Sequence, residues 1–390
     1  MRRRRFITGL VGAGAGLGLT SASARAATVG GDRSTGPRTT GAGRTHAGTT
    51  GGVRSATAGE PHVWQTVPAP GGTPAAQLIG VAAAGPDLAW AVGEEGRNGG
   101  NAGTPLALVW DGTTWTRAGL AHLGLTGGLR SVAADPTGRA WAVGSGAHLL
   151  SWDGTTWQEA GFPGRGTSGT TLTGVATDAD GGVWLSGRNG AGSVLLHGAD
   201  GEWSWIAPPP SGTTVTPSGV RVTVHGDVWV YDSALVARWD GSAWTELPAP
   251  GGLRPAVTGL LPVTADDIWL TGYDYGVGGP PGKPPGVTLK HWDGTAWNSV
   301  TAPFTAGMLT AIVDDGQGGP DRIAGWDFWD QTRAHYLRWQ DGGWVSERGA
   351  TATTSVLPEA LAAVPGTGGY WSVGTTSFSP YPPAQVYIER

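Results

Sequence analysis

Trp110-Asp111-Gly112-Thr113-Thr114-Trp115 brackets an Asp-Gly turn between two indoles, and the W-D-G-x-x-W pattern returns three times. The further copies are Trp152 to Trp157, Trp239-Asp-Gly-Ser-Ala-Trp244 and Trp292-Asp-Gly-Thr-Ala-Trp297, with degenerate copies at His197 to Trp203 and Trp339 to Trp344. Asp and Gly tolerate the positive φ of a tight hairpin, so each copy reads as the turn joining two strands. The second Trp of each copy, together with Trp64, gives the series 64, 115, 157, 203, 244, 297, 344. Its mean spacing is about 47 residues, which lies in the range of propeller blades.

Outward from the hexapeptide, each unit parses into four strands. Strand a is Leu78-Ile-Gly-Val-Ala and its counterparts beginning at Leu129, Leu172, Val257, Leu309 and Leu361. Strand b is Leu88-Ala-Trp-Ala-Val-Gly93 and its counterparts around Trp141, Trp184, Trp229, Trp269 and Trp371. Strand c ends on the first Trp of the hexapeptide, and strand d begins on the second. β-branched and aromatic residues dominate, and no apolar period of 3.6 survives the glycines, so helix is excluded. Strands a, b and c occur seven times, and the next strand d Trp would fall just beyond the final residue, Arg390. Val63 to Pro68 is a strand d with no strands before it. The expected fold is therefore all-β, a seven-bladed β-propeller of four-stranded blades over residues 61–390, closed by the N-terminal strand pairing beside the last strand c.

Composition agrees. Gly and Pro make 98 of 390 residues, about a quarter, yet 21 Trp residues demand a core. Eighteen of the 21 fall in strands b, c and d, and these indoles are expected to pack between blades. The small third residue of strand a (Gly80, Ser131, Gly174, Gly259, Ala311, Ala363) is expected to leave room for them. The absence of cysteine excludes disulfides, thiolate metal sites, cysteine nucleophiles and a lipoprotein anchor.

Over residues 61–390 the repeat resembles several propeller families. The W-D-G-T-x-W and D-V-W-A-V-G pattern is similar to that of secreted actinobacterial repeat proteins. The turn looks like the kelch repeat and, at Ser151 to Trp157, like a sialidase Asp-box shortened by one residue; the glycine ending strand b looks like that of streptogramin-lyase propellers. These likenesses imply shape without chemistry. The Cys-Tyr cofactor of kelch-type oxidases cannot form here, and neither the lyase His with its acidic partner nor the sialidase arginine triad can be located. His148, His197, His291 and His335 fall in or beside strand c, as packing or surface residues. Asp178-Ala-Asp180-Gly-Gly has too few carboxylates for a calcium loop and reads as a β-turn. No cofactor and no metal site are expected.

Residues 1–26 read as an export signal of the twin-arginine type, with Arg2 to Arg5, an apolar run from Phe6 to Leu19 and an Ala24-Arg-Ala26 cleavage site. Residues 27–60 are rich in Gly, Thr, Ala and Arg and lack aromatics, and read as a disordered linker. The expectation is a secreted, extracellular protein, exported folded, without a membrane span and monomeric. Nine of the 25 basic and two of the 30 acidic residues precede position 61, leaving 16 against 28, a net charge of −12. Nucleic acid and anionic lipid need the opposite sign.

Long b-to-c loops follow strand b in units one (94–105), five (273–286), six (326–334) and seven (375–383), which are consecutive around a closed ring. They share one face with the d-to-a connections. They carry aromatics outside the repeat together with polar residues: Tyr273, Asp274, Tyr275, Trp326, Asp327, Trp329, Asp330, Arg333, Tyr381, Glu94 and Arg97. Aromatic faces mixed with carboxylates suit stacking on sugars or prolines. The leading expectation is a non-catalytic binding module for extracellular carbohydrate or cell-surface polymer. The alternatives are a polysaccharide lyase or glycoside hydrolase using Asp274, Asp327 or Asp330, and a structural or protein-interaction scaffold.

Overall fold

The computed structural model describes residues 61–98, 103–166, 169–277, 284–376 and 384–390. The signal and linker readings of residues 1–60, and Tyr381, lie outside the described residues. Blade 1 consists of Gln77–Gly85, Leu88–Glu95, Thr104–Trp110 and Trp115–Arg117, each antiparallel to the next. The same order recurs in blade 2 (129–160), blade 3 (171–206), blade 4 (219–247), blade 5 (255–299) and blade 6 (307–348). Blade 7 has only Val356–Val364, Gly369–Thr376 and Gln385–Glu389 from its own end of the chain. Each strand a lies against the strands a of both neighbouring blades, so the seven innermost strands encircle an axis.

The fourth strand of blade 7 comes from the N-terminal end. Gln65 and Arg390 exchange both backbone hydrogen bonds at 2.9 Å, and Val67 N donates to Ile388 O at 2.9 Å. Trp64 stacks on Tyr336 at 3.7 Å and shares a buried cluster with Tyr370 and Tyr387. Its indole Nε1 donates to Glu347 Oε1 at 2.6 Å, and His62 N donates to Oε2 at 2.9 Å. One carboxylate thus grips the closing strand by side chain and main chain together.

The hexapeptide works differently from the simple Asp-Gly hairpin. Trp110 pairs with Trp115 across a four-residue turn in which Gly112, at φ +94°, is the left-handed residue. Asp111 contributes its carboxylate: Oδ1 accepts from Thr113 N (2.9 Å), Thr113 Oγ1 (2.7 Å) and Thr114 N (2.8 Å). The Thr114 amide, with the hydroxyl and amide of Thr113, holds this carboxyl down to about 2. Asp153, Asp240 and Asp293 repeat the arrangement. Positive φ at both Asp and Gly occurs only in the degenerate copies, Asp200-Gly201 and Asp341-Gly342, which are two-residue turns.

The small residues of strand a also have a different purpose from the one expected. A Cβ on Gly174 would lie 3.0 Å from Val220 N, and one on Gly259 would lie 2.9 Å from Ile312 Cγ2 and 3.4 Å from Ile312 N. They admit the next blade's innermost strand, and the indoles pack further out. The residue before Gly80, Ser131, Gly174, Gly259 and Ala311 is a β-bulge, opposite the glycine that ends strand b; in blade 7 the bulge is Glu359, so Ala360 and not Ala363 takes the small-residue position, three residues earlier than the sequence parse placed it. A Cβ on Gly93, Gly187, Gly272 or Gly374 would collide with a strand a carbonyl oxygen.

The strand b Trp of one blade packs on the Trp pair of the next. Trp371 of blade 7 meets Trp110 and Trp115 of blade 1 at 4.8 and 4.9 Å, and Trp269 of blade 5 meets Trp339 and Trp344 of blade 6 at 5.1 and 5.5 Å. Blade 6 has Arg322 in place of this Trp, and Arg322 lies over the Tyr370 ring at 4.3 Å while donating to Glu347. The joint between blades 6 and 7, where the ring closes, is thus the one built on tyrosines and charges.

Candidate loop-face binding site

Glu94, Tyr273, Asp274, Trp326 and Asp327 sit on the last residues of strand b in blades 1, 5 and 6, so the ladder continues one or two residues further than the sequence parse. Their side chains are consequently fixed by strands rather than carried on loops. Asp274 is 4% exposed. Its carboxylate accepts from the amides of Leu253 (2.8 Å), Arg254 (2.9 Å) and Gly276 (2.6 Å), tying the d-to-a loop before blade 5 to the b-to-c loop after its second strand. Burial alone would raise this carboxyl, but the amides of Arg254, Gly276 and Leu253 outweigh it and hold it below the usual range.

Asp327 is buried in the same way. It accepts from Trp329 N at 3.0 Å and Arg348 Nη2 at 3.1 Å, and lies 3.3 Å from His335 Nδ1. Burial, then the nearby Arg348 charge, lower His335 to about 4, so at neutral pH the imidazole is neutral. Asp330 accepts from Thr332 Oγ1 at 3.3 Å and lies 3.7 Å from Arg348. Glu94 accepts from Gln77 Nε2 at 2.7 Å and from Arg97 Nη1 at 3.2 Å. The structure therefore spends Asp274 and Asp327 on shaping loops. Neither presents an unengaged oxygen pair of the kind a general acid or base uses.

The aromatics divide into two sets. Trp326 packs with Met308 and Leu357, and Tyr273 and Phe328 pack against that group. Tyr275 meets Tyr273 edge to face at 5.3 Å. Burial, with the neighbouring Tyr275 and Glu359, pushes Tyr273 up to about 12. Trp329 is the outward member, 80% exposed, braced from one side by Phe328 at 5.0 Å and 82°. Arg333 beside it is exposed and Asp330 half-buried.

Leu253, 76% exposed, and Val277, 68% exposed, lie on the same face and were not apparent from sequence, because neither departs from ordinary loop composition. The loops carrying Val277 and Trp329 are stitched together. Gly286, packed beside Val277, bridges Ala306, and Ala306 O accepts from Phe328 N at 3.0 Å. Leu253, Val277 and Trp329 are thus three exposed apolar side chains on the loop face of blades 5 and 6. In blade 1 a separate pocket of about 420 Å3 is lined by Glu95, Thr104, Pro105, Arg117, Leu120 and Leu125, with Arg117 Nη1 donating to Glu95 Oε2 at 3.1 Å across one wall.

Among the described residues, no helix is long and apolar enough to cross a membrane. No sequence-family model matches the chain, and no curated protein matches it in sequence. Solved structures do resemble it. YCF48 from Cyanidioschyzon merolae superposes with a TM-score of 0.57 at 15% identity, over 84% of this chain and 98% of that one. A YCF48 bound to D1 peptide gives 0.56 at 12% identity, over 85% and 96%. Virginiamycin B lyase from Staphylococcus aureus gives 0.53 at 11% identity, over 84% and 99%. At such identities the likeness is one of fold, and with the strand order it establishes a seven-bladed β-propeller.

Proposed function

We propose that the protein is a non-catalytic binding module that takes a polypeptide segment on the loop face of blades 5 and 6. The observation that carries this reading is the exposure of Trp329, Val277 and Leu253 on loops whose amides are bonded to Asp274 and Asp327. Aliphatic neighbours beside a single indole suit apolar side chains better than sugar rings. A YCF48 propeller bound to a peptide supports a polypeptide as the class of ligand. Export directed by residues 1–26 would present this face to extracellular partners.

Carbohydrate is the second reading, favoured by the open indole of Trp329 with Asp330 and Arg333 next to it. A peptide library and a glycan array, each probed with wild type and Trp329→Ala, separate the two. We expect peptide capture by wild type and a loss of about tenfold or more in affinity in the variant. Glycan capture alone, or equal peptide binding by both proteins, would overturn the polypeptide reading.

A further inference from the structure

The net charge of −12 over residues 61–390 is divided unequally between the two faces of the ring. The a-to-b turns hold seven aspartates and the c-to-d turns six, one in each of six blades, against one arginine, Arg139. In the hexapeptide turns these carboxyls accept from amides, which keeps them charged at neutral pH. The b-to-c and d-to-a connections on the opposite face carry the reverse sign. Among the described residues they hold Arg97, Arg165, Arg254 and Arg333 and a single carboxylate, Asp330.

Two of these four arginines are already matched. Arg97 pairs with Glu94 at 3.2 Å, and Arg165 pairs with Glu159. The carboxylates nearest the exposed apolar side chains are matched too: Asp330 lies 3.7 Å from Arg348, and Asp274 and Asp327 are buried and taken by amides of their own loops. Arg254 and Arg333 are exposed, and neither guanidinium meets a carboxylate among the described residues.

These two arginines stand beside the exposed apolar side chains of blades 5 and 6. Arg254 follows Leu253; its Nη2 donates to Tyr275 O at 2.9 Å, and Tyr275 N donates to Arg254 O at 3.2 Å. Those bonds lay residues 253–254 against 275–277, so closely that a Cβ on Gly276 would collide with Leu253 Cβ. Leu253, Arg254 and Val277 therefore make one exposed patch, apolar and positive at once. Trp329 and Arg333 repeat the combination on the 328–334 connection of blade 6.

We propose that the polypeptide taken on this face is acidic, its Asp or Glu carboxylates pairing with Arg254 and Arg333 while its apolar side chains cover Leu253, Val277 and Trp329. This rests on the polypeptide reading above and adds the sign of the ligand. A guanidinium offers a carboxylate two parallel donors, and an apolar neighbour that excludes water strengthens the pair. The aspartates of the opposite face repel such a segment, so the field of the whole ring steers it toward the loop face.

The test starts from binders selected out of a random dodecapeptide library on the immobilised full chain at low salt. They should be enriched in Asp and Glu, and replacing those residues by Asn and Gln in a synthetic binder should weaken it about tenfold. Arg254→Gln and Arg333→Gln should each weaken the acidic peptide about threefold and leave its amide version unchanged. Arg188→Gln, the same loss of charge on blade 3, should change neither. The preference for the acidic version should shrink as salt rises to about 0.5 M. Equal affinity of the two versions, or of the acidic peptide for wild type and both arginine variants, would overturn the proposal. If those binders still lost affinity in Trp329→Ala, the polypeptide reading would stand without its acidic class. Recovery of no binder, or capture of polygalacturonate in place of peptides, would overturn both.

Discussion

A single methyl group is enough to disturb this fold where strand b ends. At Gly374 an added Cβ would strike the Leu357 carbonyl, and backbone cannot move aside as a flexible side chain can. Gly374→Ala should therefore cost about 3 kcal/mol in urea unfolding, whereas Gly119→Ala, where a Cβ meets nothing, should cost about zero. The glycine was legible in the repeat, but its cause was not, because the bulge opposite it leaves no mark of its own in the sequence. Asp274 shows the same gap between pattern and role: it reads as a loop carboxylate beside tyrosines and proves to be an acceptor for three amides. Asp274→Ala should lose about 3 kcal/mol and leave residual ligand binding weakened only through the loops. His335 supplies the pH test. Its folded pKa lies below its unfolded value, so the unfolded state binds the extra proton between about 6.5 and 4, and stability falls with pH across that window. The pH dependence of unfolding free energy in wild type minus that in His335→Gln should show a loss of about 3 kcal/mol from pH 7 to pH 4.

At the scale of the element, the unit of stability is the joint in which one blade's strand b indole meets its neighbour's Trp pair. Trp371 is fully buried against Trp110 and Trp115, so Trp371→Ala should cost about 3 to 5 kcal/mol by calorimetry. Trp205, 44% exposed, should cost under about 0.5 kcal/mol. The spacing of the tryptophans revealed the strands. The exceptional joint between blades 6 and 7 was hidden, because Arg322 stands where a Trp was expected and its partners, Glu347 and Tyr370, come from distant segments. Truncation should expose the importance of that joint. A chain starting at residue 69 loses the pairing with Ile388 and Arg390, together with Trp64, and should melt lower and aggregate through the open edge, while one starting at residue 61 should melt as the full chain does.

The whole molecule is a ring whose proposed function depends on being closed, since the loop face over blades 5 and 6 keeps its shape only if the blades cannot spread. Blade count and closure could both be read from the 47-residue period. Exposure could not: Trp326, Phe328 and Trp329 look alike in sequence, and only packing separates the two that turn inward from the one that turns out. Amide hydrogen exchange at Gln65 and Arg390 tests closure most directly. Closure predicts that both amides, bonded to each other's carbonyls across a sequence separation of 325 residues, exchange as slowly as those of the inner ladders. Exchange at the rate of an unpaired terminus would contradict it.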